Sequence, residues 1–172
     1  MTDTILNQIA LLLMDVDGVL TTGQVIYSDA GQETKVFHVR DGLGIRLLME
    51  AGIQVGIVSG RRSEALAYRC RNLGITLLKD GVRDKASALA SILRETGVAE
   101  DQTAFIGDDL PDLPIMRRVG VPVAVADAHD RVKQAAVITT QAMGGCGAVR
   151  ELSERILNAR GEWERLIERL FP

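Results

Sequence analysis

Short apolar runs alternate with longer amphipathic segments along most of this chain, and this alternation most constrains what it can fold into. The apolar runs have the length of buried strands and cover residues 9–14, 53–58, 75–78, 103–106 and 121–125. The segments between them carry apolar side chains at helical spacing, at residues 43–50, 63–73, 84–95 and 111–119. Repeated strand–helix alternation predicts an α/β fold, a three-layer Rossmann-like parallel sheet flanked by helices.

Glycines punctuate this pattern where helices are expected to stop. Gly52, Gly74, Gly97 and Gly120 each follow a predicted helix. We predict that each one ends its helix in the left-handed conformation that glycine adopts without steric cost.

Length and composition favour one domain over residues 1–172 and exclude several classes of protein. With 172 residues, 47% hydrophobic and 25% charged, the chain can build a single core and is not disordered. Lys plus Arg number 20 against 23 Asp plus Glu, so no basic excess points to a nucleic acid or an anionic membrane. No apolar run approaches the roughly 20 residues of a membrane span, and the N-terminus does not resemble a secretory signal. Cys70 and Cys146 lack metal-site spacing, so we expect free thiols and a cytoplasmic location.

One stretch after the first strand interrupts the alternation. Residues 24–28 and 34–39 are strand-like and enclose the turn-rich residues 29–32, which predicts a β-hairpin inserted at about 24–39. Both faces of this hairpin carry apolar side chains, whereas a hairpin that projects alone should have one polar face. We therefore expect another surface to cover it.

The strongest chemical motif places two carboxylates directly after the first apolar run. Asp15 and Asp17 lie where the carboxyl end of a parallel strand exposes residues to a ligand. One carboxylate can attack an electrophile and the other can exchange protons, provided that a cation offsets their repulsion. A calcium-binding loop is the alternative, but the spacing of its ligands and its closing Glu are missing.

Two further motifs lie at strand–helix junctions and carry groups suited to phosphate. Ser59, Gly60 and Arg61 offer a hydroxyl and backbone amides at the start of a helix. Lys85 begins another helix, where its charge can neutralise a phosphoryl group. Taken alone, the first motif is better explained as an ordinary helix cap with surface arginines, and the second as a solvated lysine.

A third acidic motif follows the apolar run at residues 103–106. Asp108, Asp109 and Asp112 would repel one another unless they bound a metal or paired with a base. Helix capping accounts for one such acid but not for three so close together. Oxygen ligands alone favour Mg²⁺, which often shares its coordination with a phosphate.

These four motifs, in this order and spacing, resemble the haloacid dehalogenase superfamily of aspartate-nucleophile phosphotransferases over nearly the whole chain. Residues 39–45, 107–110 and 147–151 narrow the resemblance to the subgroup without a large cap domain, the 3-deoxy-D-manno-octulosonate 8-phosphate phosphatases. The resemblance implies removal of phosphate from a sugar acid during lipopolysaccharide precursor synthesis. Cys146 is assigned no role.

The resemblance also implies a role for each motif residue. Asp15 would attack phosphorus to form an aspartyl-phosphate, and Asp17 would act as acid and then as base. Ser59 and Lys85 would bind the phosphoryl group. Mg²⁺ would be held by Asp15, the carbonyl of Asp17 and Asp108, while Asp109 and Asp112 would support the metal waters and the lysine. Substrate binding would involve Gly60, Arg61 and Arg40.

Two other functions remain open at the level of sequence. The same chemistry on a nine-carbon 2-keto acid 9-phosphate also needs a cation for the substrate carboxylate, and Arg61 is the candidate for either substrate. Relatives that act on the nine-carbon substrate tend to have an acid at that position. A non-catalytic assembly module is the second alternative, and the presence of every motif residue argues against it.

The resemblance finally implies a homotetramer built around the hairpins. A chain of this length has no room for a large cap, so a neighbouring subunit would help to wall each site. We expect Val25, Tyr27 or Phe37 in the interface and Arg40 near a substrate site. The alternative is a hairpin folded back onto its own sheet.

Overall fold

A six-stranded parallel sheet forms the centre of the computed structural model, which describes residues 2–172. In chain order, and including a separate two-stranded hairpin, the strands are β1 (Leu11–Met14), β2 (Ile26–Tyr27), β3 (Glu33–Thr34), β4 (Gln54–Val58), β5 (Leu77–Lys79), β6 (Thr103–Gly107), β7 (Val121–Ala124) and β8 (Ile138–Thr139). The helices are α1 (Thr2–Leu6), α2 (Val39–Glu50), α3 (Glu64–Leu73), α4 (Lys85–Thr96), α5 (Leu113–Met116), α6 (Asp130–Ala135), α7 (Ala148–Ala159) and α8 (Trp163–Leu170). Within residues 2–172, no helix combines the length and apolar character needed to cross a membrane.

The order of the strands places a crevice beside β1. The sheet runs β5-β4-β1-β6-β7-β8, and every neighbouring pair in it is parallel. The chain moves outward from β1 through β4 and β5, and then returns to build β6, β7 and β8 on the other side. Ligands of open parallel sheets bind outside the carboxyl ends of the strands at such a switch point. The topology thus predicts a ligand site in the loops that follow β1, β4 and β6.

Helices cover the sheet, which explains the continuous apolar run of its central strand. Leu11, Leu12, Leu13 and Met14 are all fully buried, as expected for a parallel strand covered on both faces. Helices α2 and α7 pack against each other, with α1 and α8 against α7, while α4 and α6 both pack against α5. The predicted Rossmann-like α/β fold is confirmed.

Several predicted details are wrong. Gly52, Gly74 and Gly97 do adopt positive φ, but Gly120 does not, and a Cβ there would lie 2.3 Å from the carbonyl oxygen of Asp101. Close backbone approach, and not helix termination, is what requires glycine at position 120. The predicted helix at 111–119 is a 3₁₀ turn followed by the four-residue α5, in a segment that two prolines, Pro111 and Pro114, deprive of backbone N–H donors. The sequence analysis also missed α1, β8, α6 and α7.

The hairpin is shorter than the predicted 24–39 span. Only Ile26–Tyr27 and Glu33–Thr34 pair, in antiparallel register, and Val39 already belongs to α2. Its apolar side chains Val25, Ile26, Tyr27 and Val36 are exposed, whereas Phe37 packs partly against the core. The apolar side chains expected on the hairpin are therefore largely exposed to solvent in a single chain.

A carboxylate from α2 caps the start of α7. Asp41 is almost completely buried, and its Oδ1 accepts the backbone N–H of Arg150 at 2.8 Å. Gly147, the residue before α7, has no side chain with which to cap the helix itself. Asp41 therefore takes the place of an N-cap side chain from a different helix.

Candidate active site

A cavity of about 350 Å³ opens at the carboxyl ends of the strands, beside the switch point. It is lined by Asp15, Asp17, Gly23, Ser59, Gly60, Arg61, Lys85, Asp108, Asp109, Pro111 and Asp112. The fold thus brings together nine of the ten residues that the motifs singled out, although they come from four separate parts of the chain. The volume falls within the range of small-molecule sites.

The loop after β1 presents Asp15 and Asp17 because a glycine follows them. Gly18 has φ +94, and a Cβ at this position would lie 2.1 Å from Asp108 Oδ2. A larger residue would both strain the backbone and push away the acid that follows β6. Glycine therefore allows the first and last acidic motifs to meet.

Lys85 joins two acidic groups at the bottom of the cavity. Its Nζ donates to Asp15 Oδ1 at 2.6 Å and to Asp112 Oδ1 at 2.5 Å, and it is only 5% exposed. The lysine is the first residue of α4, whose N-cap Asp84 accepts the backbone N–H groups of Ala86 and Ser87. Burial alone lowers the pKa of Lys85, but the charges of Asp15 and Asp112 outweigh it and raise that pKa. A positive charge is therefore fixed beside Asp15.

The acidic residues around Asp15 have the properties of a cation site. Oxygen atoms of Asp15, Asp108 and Asp112 lie within 4.8 Å of one another. Burial raises the pKa of Asp108 to about 8, and the charges of Asp15, Asp112 and Asp109 add to the effect. Burial likewise raises the pKa of Asp15 to about 6 despite Lys85. The negative charges of these carboxylates are not balanced by the neighbouring cations, so the cluster suits a hard divalent cation such as Mg²⁺.

Asp112 differs from the other two acids because its oxygens already have partners. Oδ1 accepts from Lys85, and Oδ2 accepts the backbone N–H of Asp108 at 2.9 Å. Asp112 therefore orients both the lysine and the loop that carries Asp108. The supporting role that the resemblance implies for Asp112 stays a prediction.

Ser59 follows β4 and lies close to the start of α3 without capping it. It is nearly buried, and its Oγ accepts the backbone N–H of Arg61 at 3.3 Å. The N-cap of α3 is Ser63, which accepts from the backbone N–H of Leu66. The interpretation of Ser59 as an ordinary N-cap is therefore wrong, and its hydroxyl lines the cavity from the preceding loop.

Two hairpin residues that sequence reasoning missed also reach this site. Lys35 forms ion pairs with Asp17 and with Glu33, and Arg61 pairs with Glu33 and lies 3.8 Å from Asp17 Oδ2. Tyr27 accepts a hydrogen bond from Arg61 at 3.2 Å. The alternation of side chains along a strand could have revealed Glu33 and Lys35, because opposite charges two residues apart share one face.

Arg40 is the one candidate that the single chain leaves outside the cavity. It is exposed near the start of α2 and does not line the pocket. Cys70 and Cys146 are both free, and burial raises the pKa of the Cys70 thiol to about 11.

Comparison with known proteins agrees with this geometry. The model of the haloacid dehalogenase-like hydrolase family matches residues 76–143. The chain is 47% identical over 157 residues to the 3-deoxy-D-manno-octulosonate 8-phosphate phosphatase of Haemophilus influenzae, covering 91% of this chain and 87% of the relative. The chain belongs to this phosphatase family.

Solved structures of relatives have the same fold. The 3-deoxy-D-manno-octulosonate 8-phosphate phosphatase of Yersinia pestis superposes with a TM-score of 0.93 and 44% identity, over 94% of this chain and 88% of that one. The Moraxella catarrhalis phosphatase, solved with magnesium ion, phosphate ion and a KDO molecule, has a TM-score of 0.95 and 38% identity, over 97% of this chain and 96% of that one. Membership of the family therefore extends over almost the whole chain.

Proposed function

We propose that this family member is a Mg²⁺-dependent phosphatase that converts 3-deoxy-D-manno-octulosonate 8-phosphate to the free sugar acid and phosphate, in lipopolysaccharide precursor synthesis. The observation that carries the proposal is the convergence of Asp15, Asp17, Ser59, Lys85 and Asp108 on one cavity at the switch point of the sheet. The similarity to phosphatases of that substrate supports the same conclusion.

Asp15 acts as the nucleophile. One of its carboxylate oxygens attacks phosphorus, the bond from phosphorus to the sugar oxygen breaks, and an aspartyl-phosphate forms. Lys85 keeps the carboxylate oriented through its 2.6 Å hydrogen bond. Water then attacks the same phosphorus, the bond to Asp15 breaks, and phosphate leaves.

Asp17 carries the protons for both steps. Its acid form gives a proton to the sugar oxygen as that oxygen leaves, and its carboxylate then takes a proton from the attacking water. Asp17 lies two residues after Asp15 on the same loop and lines the same cavity. The two acids can therefore act on the two opposite sides of one phosphorus atom.

The remaining residues bind the negatively charged phosphoryl group. Ser59 offers a hydroxyl, the Gly60 region offers backbone amides, and Lys85 offers a positive charge. The residues that would hold the metal are Asp15 and Asp108, through carboxylate oxygens, and Asp17, through its carbonyl; Asp109 and Asp112 support them. When bound, Mg²⁺ offsets the repulsion between these carboxylates and the substrate and stabilises negative charge in the transition state.

A panel of phosphate monoesters tests the proposed activity. Phosphate release should be fastest with 3-deoxy-D-manno-octulosonate 8-phosphate and slower with a nine-carbon 2-keto acid 9-phosphate. It should be slowest with phosphates of sugars that carry no carboxylate. Chelation should abolish the release and added Mg²⁺ should restore it. A preference for the nine-carbon substrate would refute the assigned substrate, and the absence of Mg²⁺-dependent release across the panel would support a non-catalytic role.

We propose further that the protein acts as a cytoplasmic homotetramer assembled through its hairpins. Tyr27 and Val36 are 62% and 68% exposed in the single chain, which is a large apolar surface for a protein to leave in water. In such an assembly Arg40 of one subunit would lie near the substrate site of another. The two free thiols agree with a reducing compartment.

A further inference from the structure

The two catalytic carboxylates are held by different lysines. Asp15 accepts a hydrogen bond from Lys85, which α4 contributes. Asp17 accepts one from Lys35, which lies just after β3 in the hairpin. Among residues 2–172, Lys35 alone donates a hydrogen bond to the side chain of Asp17.

The hairpin in turn holds Lys35 in place. Glu33 and Lys35 are two residues apart, so both lie on one face of the hairpin, and their charged atoms lie 3.2 Å apart. The side chain of Lys35 is only 2% exposed, and an ammonium group is stable at such burial when carboxylates surround it. Lys35 has two of them, Asp17 and Glu33.

Arg61 completes an alternating row of charges. The order is Arg61, Glu33, Lys35 and Asp17, and Arg61 Nη1 also approaches Asp17 Oδ2 at 3.8 Å. Lys35 contacts Oδ1 of Asp17, so the second oxygen is turned towards Arg61, which lines the cavity. The row therefore places a positively charged group beside each oxygen of the Asp17 carboxylate.

We propose that Lys35 is a positioning residue for Asp17, and that Glu33 anchors it. Its ammonium group donates to Oδ1 and so orients the acid form of Asp17, whose other oxygen gives its proton to the leaving sugar oxygen. Among residues 2–172, Lys35 forms no hydrogen bond or ion pair with the nucleophile Asp15. The inference rests on the proposed function, since it assigns Lys35 a role through the acid–base residue of that reaction.

The leaving group distinguishes this role from a structural one. An alkyl oxygen leaves poorly unless it is protonated, whereas p-nitrophenolate leaves without a proton. General acid catalysis contributes about 100- to 10,000-fold, so losing the orientation of the acid should cost a substantial part of it. For Lys35→Met we expect kcat/KM to fall about 30-fold with the sugar-acid phosphate and less than about 3-fold with p-nitrophenyl phosphate. Lys35→Arg, which keeps the charge and the donors, should recover most of the loss.

A double-mutant cycle tests whether Lys35 acts through Asp17. In an Asp17→Asn background, Lys35→Met should reduce kcat/KM by less than about 2-fold, because the group that it positions has already been removed. A direct contact between Lys35 and the substrate would instead make the two losses multiply. Multiplying losses, or equal losses with both leaving groups, would overturn the proposal.

Control variants keep the test interpretable. Lys79 pairs with Glu95 at 2.7 Å outside the cavity, so Lys79→Met also removes an ion-paired lysine. This control should leave kcat/KM unchanged with both the sugar-acid phosphate and p-nitrophenyl phosphate. Thermal unfolding of each variant reports whether it folds. If Lys35→Met does not fold, Glu33→Gln removes the anchor and keeps the lysine, and it should show the same dependence on the leaving group with a smaller loss.

The experiment also separates this inference from the proposed function. A wild-type protein that hydrolyses other phosphate esters but not the sugar-acid phosphate would refute the substrate, and the cycle would then be measured on the alkyl phosphate that it does hydrolyse. Full activity of wild type together with full activity of Lys35→Met would refute the inference alone.

Discussion

Asp15 and Asp17 lie on the same loop, yet their surroundings differ. The side chain of Asp15 is 11% exposed and meets a lysine from the core of the fold, whereas the side chain of Asp17 is 20% exposed and meets a lysine from the hairpin. The buried, fixed carboxylate is suited to attack along one direction. The more accessible one is suited to exchange protons with a leaving group and with water.

At the residue scale, the first prediction concerns the nucleophile. Asp15→Asn keeps the shape of the side chain and removes its negative charge, so kcat should fall by more than about 1,000-fold. Circular dichroism should show an unchanged fold. The measurement is steady-state phosphate release, with mass spectrometry to exclude deamidation back to Asp. Near-normal turnover in a verified Asn variant would mean that another group attacks phosphorus.

A second prediction at this scale concerns Arg61. If its guanidinium binds the carboxylate of the substrate, Arg61→Ala should raise KM for the sugar-acid phosphate about 10-fold or more, in line with the loss of a charge-assisted hydrogen bond. A phosphate ester without a carboxylate is the control and should show little change in KM. Equal effects on both esters would assign Arg61 to the phosphoryl group or to the orientation of Asp17.

At the scale of elements, α2 and α7 are joined by a polar contact inside an apolar interface. Asp41 on α2 accepts the backbone N–H of Arg150 on α7, and its second oxygen is buried without a hydrogen bond. Gly44, on the same helix, lies where a Cβ would come within 2.9 Å of Ser153 Oγ. The two helices therefore approach closely, and the start of α7 depends on the Asp41 carboxylate for its cap.

Substitutions at Asp41 test this cap. Asp41→Ala leaves the first turn of α7 without its acceptor, so the free energy of unfolding should fall by about 1 to 2 kcal/mol. Asp41→Asn keeps an acceptor oxygen and should cost less. Chemical denaturation of the three proteins at neutral pH makes the comparison. An alanine variant as stable as wild type would show that the cap contributes nothing.

The same residue predicts a dependence on pH. Burial raises the pKa of Asp41 above its ordinary value, with the N–H of Arg150 opposing the shift. The unfolded chain therefore loses this proton at lower pH than the folded protein does, and ionisation favours unfolding. As pH rises from below the ordinary value through the raised one, wild type should lose stability relative to Asp41→Asn. Parallel stability curves for the two proteins would contradict this sign.

At the scale of the whole molecule, the hairpin links assembly to the site. On one face of it, Lys35 and Glu33 pair with Asp17 and Arg61 of the cavity lining, while Val25 and Val36 are left 44% and 68% exposed. The alternative was a hairpin folded back onto its own sheet. The charged face does contact the site of its own chain, but the apolar side chains remain uncovered. A neighbouring subunit that covered them would also hold the charged face in position.

Charges placed on that apolar surface should dissociate the proposed tetramer. We expect a Val25→Glu and Val36→Glu double variant to be monomeric by light scattering at micromolar concentration, with folded secondary structure and reduced kcat/KM. Val137→Glu is the matched control, since Val137 is 55% exposed beside β8 and should leave the assembly intact. A wild-type protein that is a stable, active monomer would refute the assembly.

The sequence by itself determined the class of fold and the composition of the site. Apolar runs and helical spacing are local patterns, so the parallel sheet and the positions of Asp15, Ser59, Lys85 and Asp108 at strand ends could be predicted from them. The spacing of Val149, Leu152 and Ile156 would have revealed α7 by the same reasoning. The two-residue β8 is too short to show a pattern. The helical spacing at 111–119 predicted a full helix, but Pro111 and Pro114 remove the backbone donors that it would need.

Only the tertiary structure decided which charges meet. That Asp41 caps a helix more than a hundred residues away and that Lys35 pairs with Asp17 both depend on how distant segments approach. Such pairs leave no local pattern, because an ion pair is selected by the distance between two side chains and by the burial around them. The strand order β5-β4-β1-β6 sets those distances, and it arises from packing the whole chain around one sheet.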